Sequence, residues 1–291
     1  MMQRRFSDYI FRSYTKRRIV NRVMCGLLGV AALLAILPLI NVFGYVFMQG
    51  WPELRPSFFL EIPKPVGELG GGMANALFGT GILILLGSLI GIPWGIATGM
   101  YLSEYGRGKL ATCVRFSVDI LASTPSIIIG LFVYAFIVMP MGHFSALAGG
   151  VALGLLMIPT IARSTEELLK LVPTHIREAG LALGLPRWKV TLRIVLMGSM
   201  KAIATGIMLA VARAAGETAP LLFTAFGNRF WARGLDQPIA SLPVQIYTYA
   251  ISPYDEWHRQ AWTGALVLIL FVFVVNMVTR VALRTSVRSA E

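Results

Sequence analysis

Six long apolar stretches, separated by polar segments, dominate the pattern of the chain. They lie at residues 23–48, within 73–103, and at 117–139, 144–162, 203–226 and 261–281. Because the apolar core of a bilayer is about 30 Å thick, a helix needs about 20 apolar residues to cross it. The pattern therefore predicts an all-α integral membrane protein with six transmembrane helices.

The polar segments divide the chain into regions of different character. These regions are a basic N-terminal segment (1–22), the first transmembrane helix (23–48), a loop rich in proline and glycine (49–72), a domain with the other five helices (73–283), and a short tail (284–291). Within the domain, a charged segment at 163–201 separates the fourth and fifth apolar stretches.

The distribution of charge predicts which side of the membrane each segment occupies. Charged residues make up 14% of the chain, against roughly 25% in soluble domains, and the mean hydropathy is +0.70. Of the 26 Lys and Arg residues, 20 fall on the side that holds both termini and the segment 163–201. Since basic loops stay in the cytoplasm, both termini are predicted to be cytoplasmic. The net charge of +12 is then a topology signal, and no nucleic-acid partner is expected.

Glycines recur at every fourth position in the second apolar stretch, at Gly87, Gly91, Gly95 and Gly99. This spacing places them on one helix face, where the absence of side chains lets another helix approach closely. Packing within the chain and packing on a second subunit both fit the pattern.

Residues 177–197 have the pattern of a helix, a break and a second helix. Thr174 is a candidate N-cap of the first helix, Gly184 a candidate left-handed stop, and Pro186 suits the first position of the second helix. Two interpretations fit: an amphipathic helix that lies on the lipid surface, and a short helix that projects from the membrane to bind another protein.

The same segment resembles the EAA motif of ABC-importer permeases. The matching residues are Glu178, Ala179, Gly180, Gly184 and Ile194. In that family the short helix docks on a cytoplasmic ATPase, so the resemblance implies that these residues couple the chain to an ATPase. Two positions depart from the motif, because Gly180 stands where alanine is usual and Met197 where proline is usual. Loss of that proline should leave the entry to the fifth helix straighter.

A longer resemblance is to one family of permeases. The run GETAPLLFT at 216–224 resembles the signature of the permease subunits of phosphate ABC importers, the PstA family, and further matches cover most of 73–283 (101–105, 124–132, 163–167 and 242–247). The resemblance implies the type I ABC importer fold, six transmembrane helices with a cytoplasmic coupling helix, inorganic phosphate as cargo, and a location in the cell inner membrane.

The resemblance also implies a set of partners in the lipid bilayer. These are a homodimeric cytoplasmic ATPase, a second non-identical permease (PstC-like), and a periplasmic or extracellular phosphate-binding protein that docks on the loops 49–72 and 228–260. No G-x-x-x-x-G-K-[ST] run is present, so the chain is not expected to be an enzyme by itself. No cofactor is expected on this chain, since ATP and Mg²⁺ belong to the ATPase.

Two ionisable residues, Arg213 and Glu217, lie four apart within the fifth apolar stretch. A charge in mid-membrane costs at least about 2.5–3.5 kcal/mol and normally faces a partner or a polar path. The pair either stiffens the helix bundle or lies on the path of an anion, with Thr218 beside it. Pro220 should break the helix here, because it cannot donate to the carbonyl of Gly216.

Hydroxyl groups interrupt the third stretch and supply a second candidate path. Thr124 and Ser126 flank a proline and either line the path or bond to their own helix. Asp119, four residues after Arg115, is predicted to form a plain helix pair with it. Arg163 is either an anchor at the lipid headgroups or part of the exit path.

Three other functions are compatible with parts of the pattern. A permease for another oxyanion, such as phosphonate or molybdate, would share the EAA helix but should lack the GETAPLLF run. An ATP-independent anion transporter or channel would need no ATPase-binding helix, and a regulatory membrane protein would need no Arg–Glu pair inside the membrane.

Overall fold

The computed structural model describes the backbone of residues 2–66, 68 and 70–288, and the side chains of residues 16–66, 68 and 70–277. All regular secondary structure within these residues is helical. The chain divides into two compact units, Met1–Gln49 and Gly50–Glu291. The tail predicted at 284–291 and the arginines before Lys16 lie outside the described side chains.

Most of the helices are joined by short connections, and the longest connections are the segments 61–73 and 223–241. In chain order they are α1 (Met2–Gly50), α2 (Pro56–Leu60), α3 (Ala74–Met100), α4 (Lys109–Ser123), α5 (Ser126–Val133), α6 (Met139–Met141), α7 (Ala146–Lys170), α8 (Thr174–Ala182), α9 (Arg187–Lys189), α10 (Met197–Ala215), α11 (Ala219–Leu222), α12 (Leu242–Ala250) and α13 (Asp255–Arg288). Three π-helical segments join some of them, at Tyr101–Tyr105, Tyr134–Val138 and Val190–Leu196.

The long helices confirm the predicted membrane fold. Among the described residues, five helices are long and apolar enough to cross a bilayer: Lys16–Gly50, Ala74–Tyr105, Ala146–Lys170, Arg187–Ala215 and Asp255–Met277. The pair Lys109–Ser123 and Ser126–Met141 supplies the sixth crossing if it is counted as one broken span, since it bends by 105°.

The third crossing begins earlier than the stretch at 117–139, and it is interrupted at Thr124 and Pro125, as expected. Its first half begins at Lys109, and only a short turn at 106–108 separates the second and third crossings. The bend follows from Pro125, because a residue before proline disfavours the helical conformation. Thr124 is accordingly extended, with φ −72° and ψ 129°.

The fifth crossing ends earlier than expected. α10 stops at Ala215, and the break lies at 216–218 instead of at Pro220. Pro220 lies in the first turn of α11, where its missing N–H has no helical partner to lose. The chain therefore breaks just before the proline. The fourth crossing extends to Lys170, beyond the expected end at 162, because its charged last turns are held by ion pairs.

The four regularly spaced glycines of α3 pack closely on α7 of the same chain. A methyl group at Gly91 would lie 2.7 Å from Cβ of Met157, and one at Gly95 would lie 2.7 Å from Cβ of Ile161. At Gly99 it would lie 2.5 Å from the carbonyl oxygen of Ala162. The glycine ladder is thus a contact within the subunit that brings the backbones of α3 and α7 close together.

Gly99→Ala should lower the stability of the protein, and Gly81→Ala should not. The new methyl group at position 99 meets backbone, which cannot rotate away, so we expect a loss of about 1–3 kcal/mol. Gly81 lies on the same helix with nothing within 4 Å, and alanine there should gain about 0.5–1 kcal/mol. Apparent melting temperatures in detergent measure the difference. An equal melting temperature for the two variants would contradict the tight contact.

Candidate coupling and translocation site

The predicted docking helix is α8, which is joined to α7 and α9 by short turns. It ends as expected, because Gly184 has a left-handed φ of +78°. Its start is different: Pro173, not Thr174, occupies the N-cap position, and no side chain caps the helix. Pro186 also lies one position outside the following helix. Both prolines have the extended ψ that an N-cap residue requires.

The outer surface of α8 is apolar and exposed within this chain. Leu183 is 82% exposed and Leu181 is 47% exposed, and Glu178 and Ala179 are also exposed. Glu178 lies in the second turn of the helix. This surface is available to another protein.

The inner surface of α8 packs on the base of the fifth crossing. Gly180 is buried, and a methyl group there would lie 2.8 Å from Cδ1 of Ile194 and 3.0 Å from Cγ2 of Val190. Two distant parts of the EAA motif therefore contact each other. An alanine at position 180 would need the side chains of both Ile194 and Val190 to shift.

A buried ion pair holds α8 to the end of the second crossing. Nε of Arg177 donates to both carboxylate oxygens of Glu104, at 3.1 and 3.0 Å, and Nη2 donates to Oε1 at 2.5 Å. Arg187 adds a bond from Nη2 to the carbonyl of Glu104 (2.6 Å), and its guanidinium lies 5.0 Å from the ring centre of Tyr105. The sequence pattern did not single out Glu104 or Arg177 as a pair, because 73 positions separate them.

A second set of ion pairs joins α4 to α7. Arg115 of α4 donates to Glu166 of α7 at 2.7 Å, and Asp119 of α4 pairs with Arg163 of α7. Within α7, Lys170 also donates to Glu166, at 2.6 Å. The pair expected between Arg115 and Asp119 is therefore wrong. Since α7 runs alongside α4, each of the two finds an oppositely charged partner across the helix contact. Arg163 is held by Asp119, a contact that neither of its two interpretations included.

Arg213 lies in the last turn of α10 and keeps a contact with Glu217 across the helix break. Its Nε is 3.5 Å from Oε1 of Glu217, and the side chain of Arg213 is 56% exposed while that of Glu217 is 16% exposed. Two contacts between α10–α11 and α7 lie on either side of Arg213 in the sequence: Gly206 against Ser164, and Leu221 against Gly149.

The broken third and fifth crossings meet beside these residues. A methyl group at Gly130 of α5 would lie 2.6 Å from Cα of Pro220, so α5 and α11 are in close contact. Ser126 is one turn before Gly130, and Thr218 directly precedes α11; both are half-buried. The hydroxyl of Thr124 donates to the carbonyl of Ile120 at 2.7 Å, so it bonds to its own helix. Arg163 belongs to the α4–α7 contact instead.

Comparisons with known proteins agree with this architecture. The family model described as "Binding-protein-dependent transport system inner membrane component" matches residues 91–290. The phosphate transport system permease protein PstA of Yersinia pestis is 47% identical over 266 residues, covering 91% of this chain and 90% of the relative. The probable phosphate transport system permease protein PstA of Methanocaldococcus jannaschii is 35% identical over 275 residues, covering 94% and 97%.

Solved structures show the same fold. The inward-facing MetNI methionine ABC transporter superposes with a TM-score of 0.57 at 21% identity, covering 72% of this chain and 92% of that one. An amino acid ABC transporter crystallised with histidines has a TM-score of 0.51 at 16% identity, covering 74% and 92%. The chain therefore belongs to the binding-protein-dependent transport system inner membrane component family and has the type I fold of ABC importer permeases.

Proposed function

We propose that this chain is a transmembrane permease subunit of an ATP-driven importer of inorganic phosphate. The observation that carries the proposal is the relationship to proteins named phosphate transport permeases, at 47% identity across nine-tenths of the chain. An Arg–Glu pair beside two helix breaks offers an oxyanion a polar contact along a crossing that is mainly apolar.

In this proposal the anion passes Arg213. The guanidinium attracts phosphate. Glu217 holds the guanidinium in place and lowers its affinity for the anion. Ser126 and Thr218, at the starts of α5 and α11, offer hydroxyl groups that replace part of the anion's hydration shell. Thr124 contributes less, since its hydroxyl is already bonded. Arg163 acts at the cytoplasmic exit. Asp119 holds the guanidinium of Arg163 in place and weakens its binding of the anion, as Glu217 does for Arg213.

Energy comes from partners. A homodimeric cytoplasmic ATPase, which binds ATP and Mg²⁺, docks on the exposed face of α8, and a second, non-identical permease completes the path. This arrangement places both termini in the cytoplasm, in agreement with the bias of basic residues.

A periplasmic or extracellular phosphate-binding protein delivers the cargo on the opposite side. The loop after α11 is ordered there by bonds to the start of α7, since the amides of Ala146 and Leu147 donate to Gln237 and Leu235. Exposed aromatic side chains of this loop, Phe230 and Trp231, face outward and suit a protein contact.

Uptake by the reconstituted complex tests the function and its alternatives. Proteoliposomes with all partner subunits should accumulate labelled phosphate only with ATP and the binding protein, and excess phosphonate or molybdate should not compete. Competition by one of these anions would identify another oxyanion as cargo. Accumulation without ATP would indicate a secondary transporter or channel, and no uptake of any of the three anions would contradict the proposal.

A further inference from the structure

The pair of Glu104 and Arg177 joins three segments at the cytoplasmic edge of the larger unit. The two side chains are only 7% and 20% exposed. Beyond its bonds to Glu104, Arg177 donates from Nη1 to the carbonyl of Val172 (2.5 Å) and from Nη2 to that of Leu169 (2.8 Å). One guanidinium thus connects α8 with the end of α3 and the end of α7.

The geometry of this junction makes it stiff. Arginine presents its donors as a planar fork, and a fork that meets a carboxylate at several points fixes orientation as well as distance. Glu104 belongs to the π-helical segment that continues α3, and α3 is locked to α7 by the glycine ladder. A displacement of α8 is therefore carried directly to the α3–α7 pair.

The contact of α8 with the fifth crossing is of a different kind. Gly180 meets Val190 and Ile194 through apolar atoms. Apolar packing of this type has no preferred donor geometry, and packed helices shift along such contacts during conformational change. The two sides of α8 are thus held unequally, one by a fixed polar junction and one by packing.

We propose that Glu104 and Arg177 are positioning residues that make α8, α3 and α7 move as one body when the ATPase moves α8. The inference rests on the proposed function, because it assumes an ATPase bound to α8. Without the junction, ATP hydrolysis moves α8 but no longer moves the two central helices, and transport becomes uncoupled from hydrolysis.

The test is the number of phosphate ions imported per ATP hydrolysed by the full complex in proteoliposomes. Glu104→Gln keeps the shape of the side chain and removes its charge, and we expect this ratio to fall about tenfold or more, with the basal ATPase rate retained. Arg177→Lys keeps the charge and loses the fork, and it should fall between Glu104→Gln and the wild type. If Glu104→Gln does not assemble, Arg177→Lys decides the question alone.

Lys170→Gln is the matched control. It removes a charge at the same end of α7, but from an ion pair within that helix, and Glu166 keeps Arg115 of α4 as a partner. Its ratio of phosphate to ATP should stay within about twofold of the wild type. A normal ratio in both Glu104→Gln and Arg177→Lys would overturn the inference, as would an equal loss in Lys170→Gln.

A second measurement does not depend on the cargo. Amide hydrogen exchange of residues 174–182 in the assembled complex should be at least about tenfold faster in Glu104→Gln than in the wild type. Unchanged exchange would overturn the proposed junction, and faster exchange with a normal transport ratio would reduce the pair to a structural role. A wild-type complex that imports no phosphate would instead contradict the proposed function, and exchange would still report on the junction.

Discussion

Arg213→Gln should reduce phosphate uptake at least about thirtyfold while the complex still assembles. Two unit charges 4 Å apart attract each other by about 4 kcal/mol at an effective dielectric constant of 20. Arg213 is 56% exposed within this chain, so roughly half of that attraction is offset by desolvation and screening. The remaining 2 kcal/mol corresponds to about thirtyfold, since about 1.4 kcal/mol is a factor of ten. Initial uptake rates in proteoliposomes, at matched amounts of complex, measure the effect.

Two variants at the same site separate charge from structure. Arg213→Lys keeps a cation and should retain more uptake than Arg213→Gln. Glu217→Gln removes the residue that restrains Arg213, so it should lower both the KM for phosphate and the maximal rate. Uptake at the wild-type rate by Arg213→Gln would contradict the proposed role of this residue.

Leu183→Asp should remove most of the bound ATPase, with recovery falling about tenfold or more. Leu183 is 82% exposed at the end of α8 and is the most prominent apolar side chain on the coupling helix. An aspartate there would place a charge in the proposed contact with the ATPase. In such contacts a few residues provide most of the binding energy. Co-purification of the ATPase with the tagged permease, followed by quantitative blotting, measures recovery.

Leu110→Asp serves as the control for this change. Leu110 is 65% exposed and lies on the predicted cytoplasmic side, at the start of α4. Its ATPase recovery should stay near that of the wild type. Wild-type recovery by Leu183→Asp, or by a double variant of Glu178 and Gly184 that also transports normally, would argue against docking on α8.

The sequence predicted those parts of the fold that depend on local pattern. The apolar stretches gave the membrane crossings, and Gly184 gave the end of the coupling helix, because both depend on neighbours along the chain. The break in the fifth crossing was placed less well, because a proline locates a helix break only to within one turn. Pro125 bends the chain at the residue before it, whereas Pro220 lies in the first turn of the next short helix.

The ion pairs show why contacts between helices could not be predicted from the sequence. Arg115 and Asp119 are four apart and suit a local pair, yet each binds a residue of α7. The choice depends on which helix lies alongside α4, and that is set by the fold as a whole. The pair of Glu104 and Arg177 was missed for the same reason. The pair of Arg213 and Glu217 was predicted from its spacing in an apolar stretch, and the structure adds the nearby contact between α5 and α11.

The π-helical segment Val190–Leu196 lies between the coupling helix and Arg213. A π-turn contains one residue more than an α-turn, and one residue corresponds to about 100° around a helix axis. The segment therefore sets the angle around the helix axis between the residues that contact α8 and the side chain of Arg213. A single-residue deletion here would turn Arg213 to a different direction without altering any of its neighbours in sequence. Chimaeric permeases that exchange coupling helices would need to preserve this angle to keep their cargo path.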